Sequence, residues 1–173
     1  TLESAQTRIE GFHFDARKQV LAYDDVLNQQ RLVIYDRRRK LLLSDEGEVS
    51  VVMAEVAEAV AESGEVMERK RAEYGDAIFS DLFRRLTLQM IDTLWVEHLE
   101  VMNYTRSSVN LRAYGQRDPL VEYRKEGTRL YKEMLQAVLV RIADILPQLQ
   151  PVVVAKEEAE HKAEAVAAQQ AAG

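Results

Sequence analysis

Apolar residues recur at helical spacing along most of the chain, and the first such stretch is unusually long. Between about Glu3 and Asp45 there is no proline, and the single glycine is Gly11. A helix of about 40 residues is about 60 Å long, which predicts a scaffold strut or a coiled-coil-like element. The apolar positions lie three, four or seven residues apart and share one face: Ile9, Phe12, Ala16, Val20, Tyr23, Leu27, Ile34 and Leu41.

The segment from Glu46 to Gly75 is shorter and richer in acidic residues, with Gly64 and Gly75 as interruptions. Its apolar positions still recur at helical spacing, at Val49, Val52 or Met53, Val56 and Val60. The pattern predicts a brief helical excursion between two larger elements.

The third segment predicts two antiparallel helices joined by a short loop. Asp118 followed by Pro119 is a strong signal for a helix start, because Asp caps helix N-termini and Pro suits the first helical position. Gly127 inside the second helix costs about 1 kcal/mol relative to Ala, and a close contact with the long helix would explain it. Pro147 and Pro151 end the pair. The two stripes comprise Phe79, Leu82, Phe83, Leu86, Met90, Leu94 and Val101, then Leu120, Tyr123, Leu130, Met134, Val138, Ile142 and Ile145.

These patterns predict an all-α fold in four parts. One long scaffold helix (1–45) is followed by a short helical insert (46–75) and an antiparallel two-helix hairpin (76–150) packed along the long helix. The Ala- and Glu-rich tail (151–173) has good helix propensity but no stripe that would fix it to a core. We therefore expect the tail to be frayed or disordered.

Composition narrows the class of protein. The 173 residues are 47% hydrophobic and 30% charged, which is typical of a folded chain, and the formal net charge of −6 argues against general nucleic-acid binding. The chain has no cysteine, so it can form neither a disulfide nor a thiolate metal site. It shows no signal-peptide pattern and no apolar run near the ~20 residues that span a bilayer. It also begins without methionine, so we expect a fragment of a larger protein.

Candidate chemistry is sparse. The sequence contains no phosphate-binding loop and no dinucleotide-binding turn, and its three histidines lack metal-ligand spacing. His98 is expected to be structural. Asp24 and Asp25 diverge by about 100° on a helix, so they form a solvated or docking face rather than an acid–base pair. The basic run 37–40 is interpreted first as the end of a helix, and second as a contact for anionic lipid or an acidic partner. Trp95 is expected to anchor a core or an interface.

Tyr114 is the exception, because it lies in the turn of the predicted hairpin, in "VNLRAYGQRDPLVEY" (109–123). A helix–helix turn needs no large aromatic side chain. The ring either folds back onto its own hairpin or contacts a partner chain, with Arg112, Gln116 and Arg117 as its polar surroundings.

Three stretches together resemble the C-terminal half of the SecA family, the ATP-driven motors of bacterial preprotein export. They are "FDARKQVLAYDDVLNQQRLVIYDRR" (14–38), "LWVEHLEVMNYTR" (94–106) and "LRAYGQRDPLVEY" (111–123), in the family's order. The resemblance covers roughly residues 9–146 apart from the middle segment. It implies that the long helix is the family's scaffold helix and that the hairpin is its two-helix finger.

The resemblance also implies partners and sites. The finger of the family enters the mouth of the SecY channel, and its tip tyrosine, which contacts unfolded preprotein and channel, corresponds to Tyr114. The scaffold helix would pack against the family's own nucleotide-binding domains, and anionic membrane lipid is a further candidate partner. The residues expected at that scaffold–motor interface are Tyr23, Asp24, Asp25, Asn28, Arg31 and Trp95.

Some family features are missing from this sequence. The nucleotide-binding and preprotein cross-linking domains are absent, so ATP and Mg²⁺ would bind elsewhere in the motor and this chain alone would not hydrolyse ATP. The helical wing is reduced to 46–75, and the tail lacks the family's Cys-rich zinc motif.

The expected function is to couple motor movement to translocation and to regulate ATPase activity, at the cytoplasmic face of the bacterial plasma membrane. Two alternatives stay open: an unrelated coiled-coil-like helical adaptor, and a nucleic-acid-binding module using the basic run 37–40, which the acidic balance disfavours.

Overall fold

The computed structural model describes residues 2–43, 46–112 and 118–151. In these ranges the chain forms five α-helices and a short 3-10 turn, and the described residues contain no strand. The all-α prediction is confirmed. The helices are α1 (Leu2–Leu42), α2 (Glu46–Ala59), α3 (Ser63–Tyr74), α4 (Asp76–Arg112) and α5 (Pro119–Ile145), and the 3-10 turn is Leu146–Gln148. The tail beyond residue 151 lies outside the described residues, so the prediction of a frayed or disordered tail stays a prediction.

Local chemistry explains where two of these helices begin and end. The Asp118 side chain accepts a hydrogen bond from the Leu120 backbone N–H at 2.8 Å, and Pro119 occupies the first helical position, so the predicted start of α5 is confirmed. Gly75 follows α3 with a φ of 81°, a left-handed conformation that side chains disfavour. Gly75 therefore separates α3 from α4 within a single residue.

The main core lies where α2, α3, α4, α5 and the second half of α1 meet. Phe79 and Phe83 are fully buried in it with ring centroids 6.0 Å apart, and Leu41, Val56 and Ile142 are equally shielded. Seventeen residues form this cluster, including the predicted stripe of the insert from Val49 to Val56. The insert is therefore part of the main core, whereas its sequence predicts only a brief helical excursion between two larger elements.

A second, smaller cluster lies along the same hairpin, close to the loop that joins α4 and α5. Tyr23 from α1, Met102 and Val109 from α4, and Tyr123 from α5 form it, and each is at most 6% exposed. The predicted packing of the hairpin along the long helix is thus confirmed from Tyr23 onward. α1 runs antiparallel to α4 and parallel to α5, since Tyr23 lies near the loop and Leu41 at the opposite end.

The first half of α1 departs from the expectation of one continuous packed stripe. Ile9, Phe12, Phe14 and Val20 are between 48% and 74% exposed, and the side chains described from residue 6 to residue 21 are exposed throughout. Their spacing is amphipathic, but no other described element of this chain covers them. This half of the helix is held by its own backbone bonds.

The stripes of the hairpin need one correction. Val101, expected in the stripe of α4, is 43% exposed, and the neighbouring Met102 is fully buried instead. Leu130, expected in the stripe of α5, packs half-buried against the small cluster, like several other stripe members, so only Val101 departs from the stripe. The apolar spacing does not match the helical period over the 37 residues of α4. The residue that faces the core near the end of the helix is therefore one position away from the one that the spacing at its start predicts.

The basic run 37–40 is tied to carboxylates within the chain. Arg37 joins α1 to the insert through Glu48 at 3.0 Å and Glu55 at 2.5 Å, and Arg38 forms a two-pronged pair with Asp92 of α4. Arg39 and Lys40 both pair with Asp36 on their own helix. Arg37 and Arg38 therefore join α1 to neighbouring helices, in addition to the helix-end role that the sequence suggests.

Replacing Arg37 by alanine is expected to lower the free energy of unfolding by about 1 kcal/mol, because two partly buried carboxylates lose their cation. Arg39→Ala is the matched control: its pair lies on one exposed helix face, and a change below about 0.5 kcal/mol is expected. Urea denaturation of both variants measures the difference. Equal midpoints for the two variants would show that Arg37 does not hold the insert.

Candidate functional site

The candidate site is the loop between α4 and α5 together with the structure that supports it. The tip residues Tyr114, Gln116 and Arg117 lie outside the described residues, as does the side chain of Arg112. Their predicted contact role therefore stays a prediction. The structure does describe the base of this loop, from Val109 on one side to Asp118 on the other.

The base of the loop is fastened to the long helix by aromatic and charged contacts. The rings of Tyr23 and Tyr123 pack against each other with centroids 5.0 Å apart. The Arg106 guanidinium lies 5.2 Å from the centre of the Tyr23 ring, and its Nη1 pairs with Asp24 Oδ1 at 3.0 Å. Guanidinium over an aromatic face is attractive, so Arg106 links α4 to two neighbouring residues of α1.

The surroundings of these tyrosines keep their hydroxyl groups neutral. Burial raises the pKa of Tyr23, and the nearby Asp118 carboxylate raises it further, while Arg106 opposes the shift. Burial is also the main cause that raises the pKa of Tyr123. Because Asp118 caps α5 and also acts electrostatically on Tyr23, the start of α5 and the long helix meet at one point.

About two turns beyond Tyr23 along α1, Gln30 makes two buried hydrogen bonds to the hairpin. Its Nε2 donates to the backbone carbonyl of Gly127 on α5 at 3.1 Å, and its Oε1 lies 2.8 Å from His98 Nε2 on α4. Gln30 is 8% exposed and His98 4%. One side chain of the long helix thus contacts both helices of the hairpin.

Gly127 contacts the long helix as predicted, but its tight contact is with the other helix of the hairpin. A Cβ at residue 127 would lie 2.7 Å from Met102 Cε and 3.5 Å from Val26 Cγ1 of α1. The first distance is shorter than side chains tolerate. A larger residue here requires the Met102 side chain of α4 to move, and glycine avoids that shift.

His98 is structural, as expected, and its ring lies between two aromatic neighbours. The ring centroids of Trp95 and Tyr131 are 5.6 Å and 5.9 Å away. Burial lowers the pKa of His98 below its usual value near 6.5, because a charged imidazolium is disfavoured there.

Stability is expected to fall as the pH drops from about 7 to about 5, by at most about 1.4 kcal/mol per pH unit. In that pH window His98 binds a proton in the unfolded chain but not in the folded chain. Proton binding therefore stabilises the unfolded state relative to the folded state. Urea denaturation across this window measures the loss, and His98→Gln, which keeps an N–H donor for Gln30, should reduce it. An unchanged slope in the variant would assign the loss to other groups.

The residues expected at a scaffold–motor interface occupy different environments. Tyr23 and Trp95 are buried within this chain, and Trp95 belongs to the main core, as one of its two expected roles requires. Asp24 and Asn28 are exposed, and Arg31 is half-buried. Asp25 is exposed and accepts a hydrogen bond from Gln29 on its own helix at 3.1 Å. Their role toward other domains stays a prediction.

The surface of α1 offers apolar area on the sides that the hairpin leaves uncovered. Leu32 and Val33 are at least 60% exposed, and Tyr35 borders a groove between α1 and α4 together with Leu42 and Val96.

No group of three or more metal-ligating side chains occurs among the described residues, and none of the described helices is long and apolar enough to cross a bilayer.

Sequence reasoning missed Gln30, although a signal was present. The stripe of α1 steps by seven residues from Leu27 to Ile34, and Gln30 occupies the position between them on the same face. A polar residue at a buried stripe position needs a partner, because burying an unpaired amide is costly. The gap in the stripe therefore indicated a buried hydrogen bond.

The architecture defines a helical scaffold in which a two-helix hairpin packs along one long helix, and comparison with known proteins gives its family. The family model of the SecA wing and scaffold domain matches residues 1–74 and 58–150. The chain therefore belongs to the SecA wing and scaffold family. An unrelated helical adaptor is thereby ruled out.

Two relatives show the extent of the similarity. The protein translocase subunit SecA of Syntrophus aciditrophicus is 31% identical over 209 residues, covering 91% of this chain and 24% of the relative. SecA of Kineococcus radiotolerans is 35% identical over 194 residues, covering 79% of this chain and 22% of the relative. The chain thus spans less than a quarter of the length of these relatives.

The aligned region is longer in the relatives than in this chain. The alignment with the Syntrophus protein runs over 209 residues, more than the 173 of the whole chain, so the relative has additional residues inside the aligned region. The two ranges matched by the family model overlap at 58–74, which covers the end of α2 and all of α3. A helical wing reduced to 46–75 stays a prediction.

Proposed function

We propose that this chain is the helical scaffold and two-helix finger of a SecA-type protein-export motor. In this role α1 passes ATP-driven movement of the motor domains to the hairpin, whose tip contacts unfolded preprotein at the mouth of the SecY channel. One observation carries the proposal: the base of the tip is clamped to the long helix by the Tyr23–Tyr123 contact and by the Arg106–Asp24 ion pair.

The distribution of contacts supports this role. α1 is tied to the hairpin near the tip through Asp24, midway through Gln30, and near the opposite end through Arg38. Because α1 contacts the hairpin at three positions along its length, the hairpin cannot pivot about any one of them. Displacement of α1 is therefore passed on to the hairpin. The exposed apolar first half of α1 supplies surface for the motor domains of the same protein.

The other parts of the motor complete the proposal. ATP and Mg²⁺ bind in the nucleotide-binding domains, which this chain does not include, and the scaffold restrains ATP hydrolysis until the channel is engaged. The proposed site of action is the inner face of the bacterial plasma membrane. Anionic lipid is a weaker proposal, because arginines 37 and 38 already pair with carboxylates of neighbouring helices.

Cross-linking from the tip tests the proposal. The chain has no cysteine, so Tyr114→Cys introduces a unique thiol, which is placed in a full-length motor whose other cysteines have been removed. The expected result is a cross-link to a preprotein stalled in the channel. Ile78→Cys is the matched control, because Ile78 is 51% exposed at the opposite end of α4 from the tip, and it should give little product.

Equal cross-linking from both positions, or none from Tyr114→Cys while translocation proceeds, would contradict a tip on the translocation path. The assignment of the hairpin as a finger would then fail, and the family membership would describe the fold alone.

A further inference from the structure

We propose that Gln30 is a positioning residue that locks the register of the long helix against the hairpin. The inference rests on the proposed function, because it names the contact through which movement of α1 would reach the finger. Its structural part, a fixed register, can be tested without any export assay.

The geometry of Gln30 is what a register lock requires. Its amide donates to the Gly127 carbonyl at 3.1 Å and accepts from His98 at 2.8 Å, so it fixes α1 against both α5 and α4. Because the Gln30 oxygen can only accept, His98 Nε2 must carry the hydrogen. Each bond constrains distance and direction, and together they define one position along the hairpin axis.

The position of Gln30 between two apolar clusters explains why such a lock is needed. Tyr23 packs in the small cluster and Ile34 in the main core, with Gln30 between them on the same helix. Apolar packing is non-directional, so it tolerates small axial shifts between helices better than hydrogen bonds do. A shift of α1 would leave the His98 N–H and the Gln30 amide buried without partners, which is unfavourable.

The surrounding polar ties differ from this one in exposure. The side chains of Asp24 and Arg106 are 55% and 35% exposed, so water can replace either partner of that pair. Arg38 and Asp92 are similarly open, at 38% and 50%. Of these three polar ties Gln30 is the buried one, so a shift cannot exchange its bonds for bonds to water.

The first measurement reports the register itself. Spin labels at Asn28→Cys on α1 and Thr128→Cys on α5, both exposed positions, give the distance distribution between the two helices in the cysteine-free chain. Gln30→Leu is expected to broaden or split that distribution. Gln29→Leu is the matched control, since Gln29 is the exposed neighbour, and its distribution should equal that of the parent.

A second variant removes half of the lock. Gln30→Glu keeps an acceptor for His98 but loses the donor to the Gly127 carbonyl, so α1 should stay in register with α4 and loosen against α5. Labels that report α1–α5 should then broaden more than labels that report α1–α4. Narrow, parent-like distributions in both Gln30 variants would overturn the lock.

The second measurement reports coupling in the full-length motor. The number of preprotein molecules moved per ATP hydrolysed is expected to fall about fivefold or more in Gln30→Leu, while Gln29→Leu stays at the parent value. An unchanged ratio in Gln30→Leu would overturn the role in coupling. A parent motor that moves no preprotein would instead contradict the proposed function, and the register result would still decide the structural part.

Discussion

Phe83→Ala is expected to lower the free energy of unfolding by about 3–5 kcal/mol. The Phe83 side chain is fully buried between the insert and the hairpin, with Phe79 beside it, so truncation leaves a cavity in the main core. Urea denaturation followed by circular dichroism measures the change. Because the insert and both hairpin helices share this core, a single cooperative transition at lower urea concentration is expected.

The same substitution at Phe12 is the control for Phe83→Ala. Phe12 is 74% exposed on the first half of α1, so Phe12→Ala should change the free energy of unfolding by less than about 0.5 kcal/mol. Equal losses at the two phenylalanines would mean that the first half of α1 packs against this chain, contrary to the fold described above.

Gly127→Val is expected to destabilise the chain by about 1–3 kcal/mol, although valine forms helix better than glycine does. A Cβ at this position meets Met102 Cε at 2.7 Å, and Met102 is itself fully buried, so its side chain has little space to move into. The variant should also disturb the hydrogen bond from Gln30, because a shift of α5 away from α4 moves the Gly127 carbonyl that accepts it. Thermal denaturation measures the loss of stability.

Gly11→Val is the matched control, because no atom lies within 4 Å of a Cβ at Gly11. A change below about 0.5 kcal/mol is expected there. If Gly127→Val proved as stable as the parent, the contact between α1, α4 and α5 would be looser than its distances indicate, and the register lock at Gln30 would lose its support.

The sequence predicts two helix boundaries well because each has a local signal, whereas Gly64, expected as an interruption, lies inside α3. Asp118 and Pro119 mark the start of α5, and Gly75 separates the insert from the hairpin. The amphipathic stripes also predict most of the core, since Phe79, Phe83, Tyr123 and Ile142 are all buried. These features are local, so one chain without relatives is sufficient to reveal them.

The sequence does not reveal which stripe positions find a partner. Phe12 and Ile34 satisfy the same spacing, yet Phe12 is exposed and Ile34 is buried. Periodicity reports that a helix has an apolar face, and the partner of that face is a property of the tertiary structure. The exposed half of α1 is the part that the proposed function assigns to contacts with the motor domains.

Long-range polar pairs are also hidden from a single sequence. Gln30 and His98 are 68 residues apart, and Gln30 and Gly127 are 97 residues apart, so no local pattern connects them. The same holds for Arg37, whose place in a basic run suggested a helix end, whereas its side chain reaches the insert. The tip at Tyr114 could be predicted only through its resemblance to a known family.

The division of the core into two clusters has a consequence for amide hydrogen exchange. Seventeen buried residues form the main core and four form the small cluster, so the two ends of the hairpin differ in the free energy of local opening. Amides near Val109 and Tyr123 should exchange with solvent sooner than amides near Phe83 and Ile142. The hairpin is then rigid where it packs in the main core and more flexible toward the loop between α4 and α5. The loop end can adapt to polypeptide chains of different shape while the opposite end stays in place.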